Sequence, residues 1–203
     1  ATIGFGWSHE IGERLFGNAR VEMFDVTSSM LIALIMLSIL GASDMLSVFL
    51  PPQHSEEFRA GHAVDFCFEK PGIGRFRCNL HRDRGGVAAS LRLLPEVIPD
   101  FSMLNLPAQV ARFAEVLKGF ILVVGPTGAG KSTTLACLID MINSRRAAHI
   151  VTIEDPVEYR HKHRRGVVEQ IEIGADSPSF AAALRHTLRQ DPDVILVGEM
   201  RDL

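Results

Sequence analysis

The sequence is poor in cysteine and has no excess of basic charge. Its three cysteines, Cys67, Cys78 and Cys137, are odd in number, and no two have C-x-x-C spacing. That argues against a disulfide framework and against a zinc knuckle, and leaves reduced, core-packed thiols of a cytosolic protein as the expectation. Lys plus Arg total 21 against 24 Asp plus Glu, a net charge of −3. A dedicated nucleic-acid binder carries a strong basic excess, so no nucleic-acid partner is expected. There is also no polybasic tail of the kind that holds a chain to anionic lipid. No apolar run reaches membrane length. The longest, residues 30–42, is interrupted by Ser38 and Gly41 and followed by Asp44. At about 1.5 Å per residue it is too short for a bilayer core of ~30 Å. No Lys/Arg cluster precedes it, and it lies too far along the chain for an ordinary signal peptide. It reads as a buried helix or strand, with no transmembrane segment. Internal repeats and low-complexity runs are lacking, and the first residue is Ala1 rather than Met, which reads as a fragment.

What remains is an ordinary globular composition, 47% apolar and 22% charged over 203 residues, enough for one or two cores. Residues 1–43 are poorly patterned, with glycines at 4, 6, 12 and 17 breaking the first stretch. Residues 44–58 predict a short helix through Met45, Leu46, Phe49 and Leu50, a Pro51–Pro52 break and a second short helix. A hairpin follows. Ala63–Glu69 alternates apolar and polar, Pro71–Gly74 supplies the turn, and Arg75–His81 alternates again. Val87–Leu94 predicts a third strand. The two prolines and weak periodicity of 98–107 read as a connector between domains spanning 1–97 and 108–203.

The second region has a different grammar. Pro107–Lys118 predicts an amphipathic helix stopped by Gly119. Phe120–Val124 is continuously apolar, as suits a strand buried on both faces. Gly130–Asn143 predicts a helix with Leu135, Leu138, Ile139 and Ile142 on one stripe. His149–Ile153 reads as a strand. Pro178–Arg189 reads as a helix capped by Ser177, with Phe180, Ala183, Leu184 and Leu188 inward. Val194–Val197 is another apolar strand. Alternating strands and helices imply an α/β unit with a mainly parallel sheet.

Between the predicted strand and helix lies Gly125-Pro126-Thr127-Gly128-Ala129-Gly130-Lys131-Ser132, followed by Thr133. It fits G-x-x-x-x-G-K-[ST] in the context that defines a P-loop. Glycines let successive backbone N–H groups curl around a phosphate, and the helix start turns its positive dipole end toward the same anion. Lys131 is expected to reach the β- and γ-phosphates and Ser132 to sit on Mg²⁺. A glycine turn that binds nothing is the bland alternative; the flanking strand and helix favour nucleotide. A second element, Asp191–Asp202, is an apolar strand that ends in acid. Gly198 directly follows Val197, so Glu199 is the candidate carboxylate for Mg²⁺ or its water, against an alternative in which it merely opens a surface loop. The third, Thr152–Tyr159 (TIEDPVEY), places Glu154, Asp155 and Glu158 just past a strand. Ligands bind at that end of open α/β sheets, and such a carboxylate can polarise water or help hold metal. An isolated acidic turn would more often be solvated surface. The run His161, Lys162, His163, Arg164, Arg165 reads as a solvated loop, His149 as structural and Cys137 as a packed small residue.

Together these motifs resemble the secretion ATPases of type II secretion and type IV pili. Residues 188–202 (LRQDPDVILVGEMRD) are similar to that superfamily's signature, and TIEDPVEY to its acidic box. IDMIN, HIVTIEDPVEYRHKH and VVEQIEIGADSPSF are most similar to the twitching-motility retraction motors, over roughly residues 44–203. The resemblance implies a PAS-like α+β N-terminal domain, residues 1–97 with 1–43 poorly assigned. It also implies a RecA-like P-loop NTPase domain, residues 108–203, incomplete at its C-terminus. Residues 1–43 depart from the family's usual opening, and the sequence stops one residue past the signature, so it reads as a truncated motor.

The same resemblance implies ATP and Mg²⁺ as cofactors, with Lys131 and Ser132 as the P-loop pair and Glu199 as the signature carboxylate. It also points to Glu158 as the expected water-activating base, with Glu154 as the alternate. Arg77 and Arg92 match N-terminal-domain arginines that meet nucleotide in ring hexamers; the bland reading is exposed strand arginines. It further implies a homo-hexamer, an inner-membrane platform partner, and a cytoplasmic protein peripheral at the inner membrane. The function expected is a pilus-retraction ATPase. The rivals are a type II secretion or pilus-assembly ATPase and a chain that binds nucleotide without turnover; a small-molecule kinase would need neither acidic element.

Overall fold

The computed structural model describes residues 22–23, 32–37, 50–84 and 86–200. The helix predicted over residues 44–50 and most of the unassigned residues 1–43 lie outside them. The chain divides into two units, Ala1–Leu94 and Pro95–Leu203.

The first unit is built on an antiparallel sheet. Its strands are β1 (Glu22–Met23), β2 (Ile32–Leu37), β3 (Val64–Lys70), β4 (Gly74–Asp83) and β5 (Gly86–Leu94), in the order β1-β2-β5-β4-β3. Part of the apolar stretch 30–42 is thus strand β2. The predicted hairpin is β3–β4, and its turn needs glycine at Gly72, whose φ is +77°. Register aligns Phe66 with Cys78 and Leu91, and Val64 with Leu80 and Ala89. Because side chains alternate faces, these residues share one side. With Phe58 from α1 (Ser55–Arg59) they form the buried core. Burial pushes the Cys78 thiol up to about 12, and all three cysteines are free. Alternate residues Asp65, Arg77 and Arg92 occupy the opposite face.

The second unit holds a three-stranded parallel sheet ordered β7-β6-β8, with β6 His149–Glu154, β7 Val167–Glu172 and β8 Val194–Val197. Helix α3 (Lys131–Arg145) lays Leu138, Ile139 and Ile142 against Ile150 and Val168. β7 was not among the predicted strands, because Val167, Val168 and Ile171 neither alternate with polar residues nor form a continuous apolar run.

Three further expectations differ. Phe120–Val124 is not a strand, and Phe120 and Val124 are 76% and 80% exposed. An apolar run becomes a buried strand only where neighbours pair its edges and cover its faces, and no described segment does so. The helix predicted over 107–118 is only α2 (Ala108–Ala111) and a 3-10 turn, Arg112–Glu115. The backbone becomes extended at Val116, and Phe113 and Leu117 face solvent while Ala114 alone is buried. Helix α4 (Phe180–Thr187) is capped by Ser179, whose hydroxyl accepts from the Ala182 amide, not by Ser177. The Ser177 carbonyl instead accepts from the Gly174 amide in the preceding turn. Leu188, beyond the last turn, is exposed. Among the described residues no helix is long and apolar enough to cross a membrane.

Candidate functional site

The loop 125–130 closes through the Ala129 amide, which donates to the Pro126 carbonyl at 3.2 Å. Gly128 and Gly130 have φ of +81° and +84°, the left-handed region that a Cβ disfavours. Gly130 caps α3 in that conformation, so the loop leads directly into the N-terminus of a 15-residue helix. The free amides and dipole there suit an anion. Lys131 Nζ donates to the carbonyls of Gly125 and Pro126, both at 2.9 Å, so its ammonium lies across the loop. Ser132 is exposed. Thr133 Oγ1 and the Tyr159 hydroxyl are 3.0 Å apart, and Thr134 Oγ1 donates to the Gly130 carbonyl.

Parallel register sets Ile153 opposite Val197, which brings the ends of β6 and β8 together. The Gly198 amide donates to the Ile153 carbonyl at 2.8 Å. A Cβ on residue 198 would come within 3.3 Å of that oxygen and 3.4 Å of Glu154 Cγ. A side chain at 198 would sit tightly against Glu154, and the next acid along the chain is the half-buried Glu199.

Glu154 accepts from Thr152 Oγ1 at 2.6 Å and from Gln170 Nε2 at 3.3 Å. Burial raises its pKa above the ordinary carboxylate range. These bonds and one from the Glu158 amide oppose the rise, while the Glu158 charge adds to it. The acidic loop over it is tied down at several points. The Val157 amide donates to Glu172 Oε2, and the His161 amide to Gln170 Oε1. Gln170 Nε2 donates to the Tyr159 carbonyl. Further along, the fully buried Asn143 donates to the Lys162 carbonyl, accepts from the Arg164 amide, and offers its own carbonyl to the amides of Arg165 and Gly166.

A small cleft between α3 and the strand ends is lined by Ser132, Leu135, Glu154, Tyr159, His161 and Gly198. His161 therefore does not belong to a solvated loop as expected. It is half-buried, and desolvation lowers its pKa. Residues 162–165 are exposed, with Arg164 paired to Asp140 at 3.3 Å. His149 sits 3.6 Å from Glu169, in keeping with a structural role.

Ser132 and Glu154 thus meet at one cleft; Thr133 joins it through Tyr159, and Glu158 joins through its amide. Arg77 and Arg92 lie in the first unit, directly opposite one another on β4 and β5, with Arg77 Nε 3.6 Å from Asp65 Oδ1. The sequence reading missed Gln170, Tyr159 and Asn143. Glu169, Gln170 and Glu172 are all polar in the stretch 167–172, so no local pattern singled out Gln170.

A glycine loop feeding a helix, beside carboxylates at the C-terminal ends of parallel strands, is the architecture of P-loop nucleotide-binding proteins. The chain belongs to the type II/IV secretion system protein family, whose sequence profile matches residues 84–203. It is 44% identical over 148 residues to the type IV pilus retraction ATPase PilT of Pseudomonas aeruginosa, covering 73% of this chain and 43% of that protein. It is 48% identical over 139 residues to a twitching motility protein of Neisseria gonorrhoeae, 68% of this chain and 37% of that one. The crystal structure of the pilus retraction motor PilT with bound ADP is similar at a TM-score of 0.80 and 40% identity, over 96% of this chain and 60% of that one. The chain therefore spans roughly two-fifths of the length of these curated relatives.

Proposed function

We propose that the protein is an ATP-hydrolysing motor subunit powering type IV pilus retraction. The observation that carries this reading is the left-handed pair Gly128 and Gly130 curling a loop into the start of α3, with Glu154 and Glu199 at neighbouring strand ends. Similarity to PilT and to an ADP-bound motor supports the assignment. The backbone N–H groups of residues 125–133, Pro126 having none, hold the phosphates. Lys131 leaves the carbonyls of Gly125 and Pro126 for the β- and γ-phosphates, exchanging neutral acceptors for charged ones.

The oxygen donors Ser132 and Glu199 suit Mg²⁺, a hard ion that keeps several waters and is held largely by substrate phosphates. When bound, Mg²⁺ neutralises charge on the phosphates. Glu158 takes the proton of the attacking water, with Glu154 as the alternate base. In a ring hexamer Arg77 and Arg92 of the N-terminal domain neutralise charge on the γ-phosphoryl group. The motor is cytoplasmic, peripheral at the inner membrane, and acts on a platform protein there.

The test is ATP turnover and nucleotide affinity in the full-length protein. Lys131→Ala is expected to abolish turnover, and Glu158→Gln to lower it while nucleotide still binds. Undiminished hydrolysis in the Lys131 variant would overturn the assignment.

A further inference from the structure

Gln170 has no part in the steps above, yet its amide group makes three hydrogen bonds around them. Nε2 donates to the Tyr159 carbonyl at 2.8 Å and to Glu154 Oε1 at 3.3 Å, and Oε1 accepts from the His161 amide at 2.8 Å. The residue sits on β7 directly opposite Thr152 of β6, so the strand ladder fixes its reach. Only a side-chain amide donates to a carbonyl and a carboxylate while accepting from a backbone N–H. Glutamate could only accept, lysine could only donate, and asparagine is one methylene shorter.

We propose that Gln170 is a positioning residue for hydrolysis, orienting the Glu154 carboxylate and pinning the backbone on both sides of Arg160. The acidic loop bearing Glu158 is then held at a set height over the P-loop. Thr133 and Tyr159 fix the same loop from the α3 side, so it is gripped from two elements at once. A site so supported keeps its reacting groups in register, and small displacements are expensive in rate. The inference rests on the reading of Glu154 and Glu158 as the carboxylates that handle water.

The experiment compares Gln170→Met, near in shape but without the amide, and Gln170→Glu, which retains only the acceptor, in the full-length protein. Each is expected to lower kcat about 10- to 100-fold while KM for ATP and analogue affinity stay within about threefold. In a Glu154→Gln, Glu158→Gln background Gln170→Met is expected to add little, because the groups it orients are gone. Losses that multiply in that background, wild-type kcat in both Gln170 variants, or loss of nucleotide affinity along with turnover would each overturn the proposal. Normal turnover in both glutamate variants would instead sink the reading of the carboxylates. Loss in those two, with none in the Gln170 variants, would sink the positioning role alone.

Discussion

Tyr159 and Thr133 meet hydroxyl to hydroxyl at 3.0 Å across 26 residues of sequence. One belongs to the acidic loop and the other to the first turn of α3, so this contact joins the two halves of the candidate site. Tyr159→Phe removes it without changing the ring. The loss of about 1 kcal/mol of stability is expected to lower the thermal midpoint by about 2–8 °C, with a fall in steady-state ATP turnover beside it because the two halves of the site are no longer joined there.

Glu154 binds its proton more tightly in the folded chain than in the unfolded one, because burial disfavours its charge. Ionising it therefore removes stability as pH rises from the ordinary carboxylate range through the raised value, and the deficit is constant above that. Glu154→Gln abolishes the deficit. Its melting temperature relative to the natural chain is expected to rise with pH across that window and to be level below it. Thermal melts over a pH series check this; a difference that ignores pH contradicts it.

The three thiols should label unequally in the native state. Cys67 is half-buried, whereas burial raises both Cys78 and Cys137. The thiolate is the reacting species, so Cys67 is expected to be alkylated first and Cys78 only on unfolding, as read by mass spectrometry over time.

Gly166 closes the acidic loop against β6. A Cβ there would stand 2.6 Å from the Ala148 carbonyl. Gly166→Ala is expected to destabilise the chain by about 1–3 kcal/mol, seen as a lower denaturant midpoint.

Legibility in the sequence followed how local each cause was. The P-loop, α3, β6 and β8 were readable because spacing and continuous apolar runs encode them directly. The hairpin β3–β4 was readable because alternation and its turn glycine agree. The strand at 167–172 was not, since it borrows its burial from β6 and α3 and carries Glu169 and Gln170 among its apolar residues. Phe120–Val124 misled in the opposite direction, being apolar without a described partner. At the site, residue types at fixed offsets gave the acids and the loop. Gln170 escaped because its bonds run to main-chain groups 9 and 11 residues away, which no motif spacing announces.

The loop from 155 to 166 is fastened to α3 at both ends of the helix, through Thr133 in its first turn and through Asn143, with Asp140 and Ser144, near its end. Thr133 and Asn143 lie ten residues apart, about 15 Å along a helix axis. Helix and loop therefore form one strut. The basic residue Arg164 at the far end is itself paired to Asp140 and Ser144 of the helix, so the strut is braced along its length.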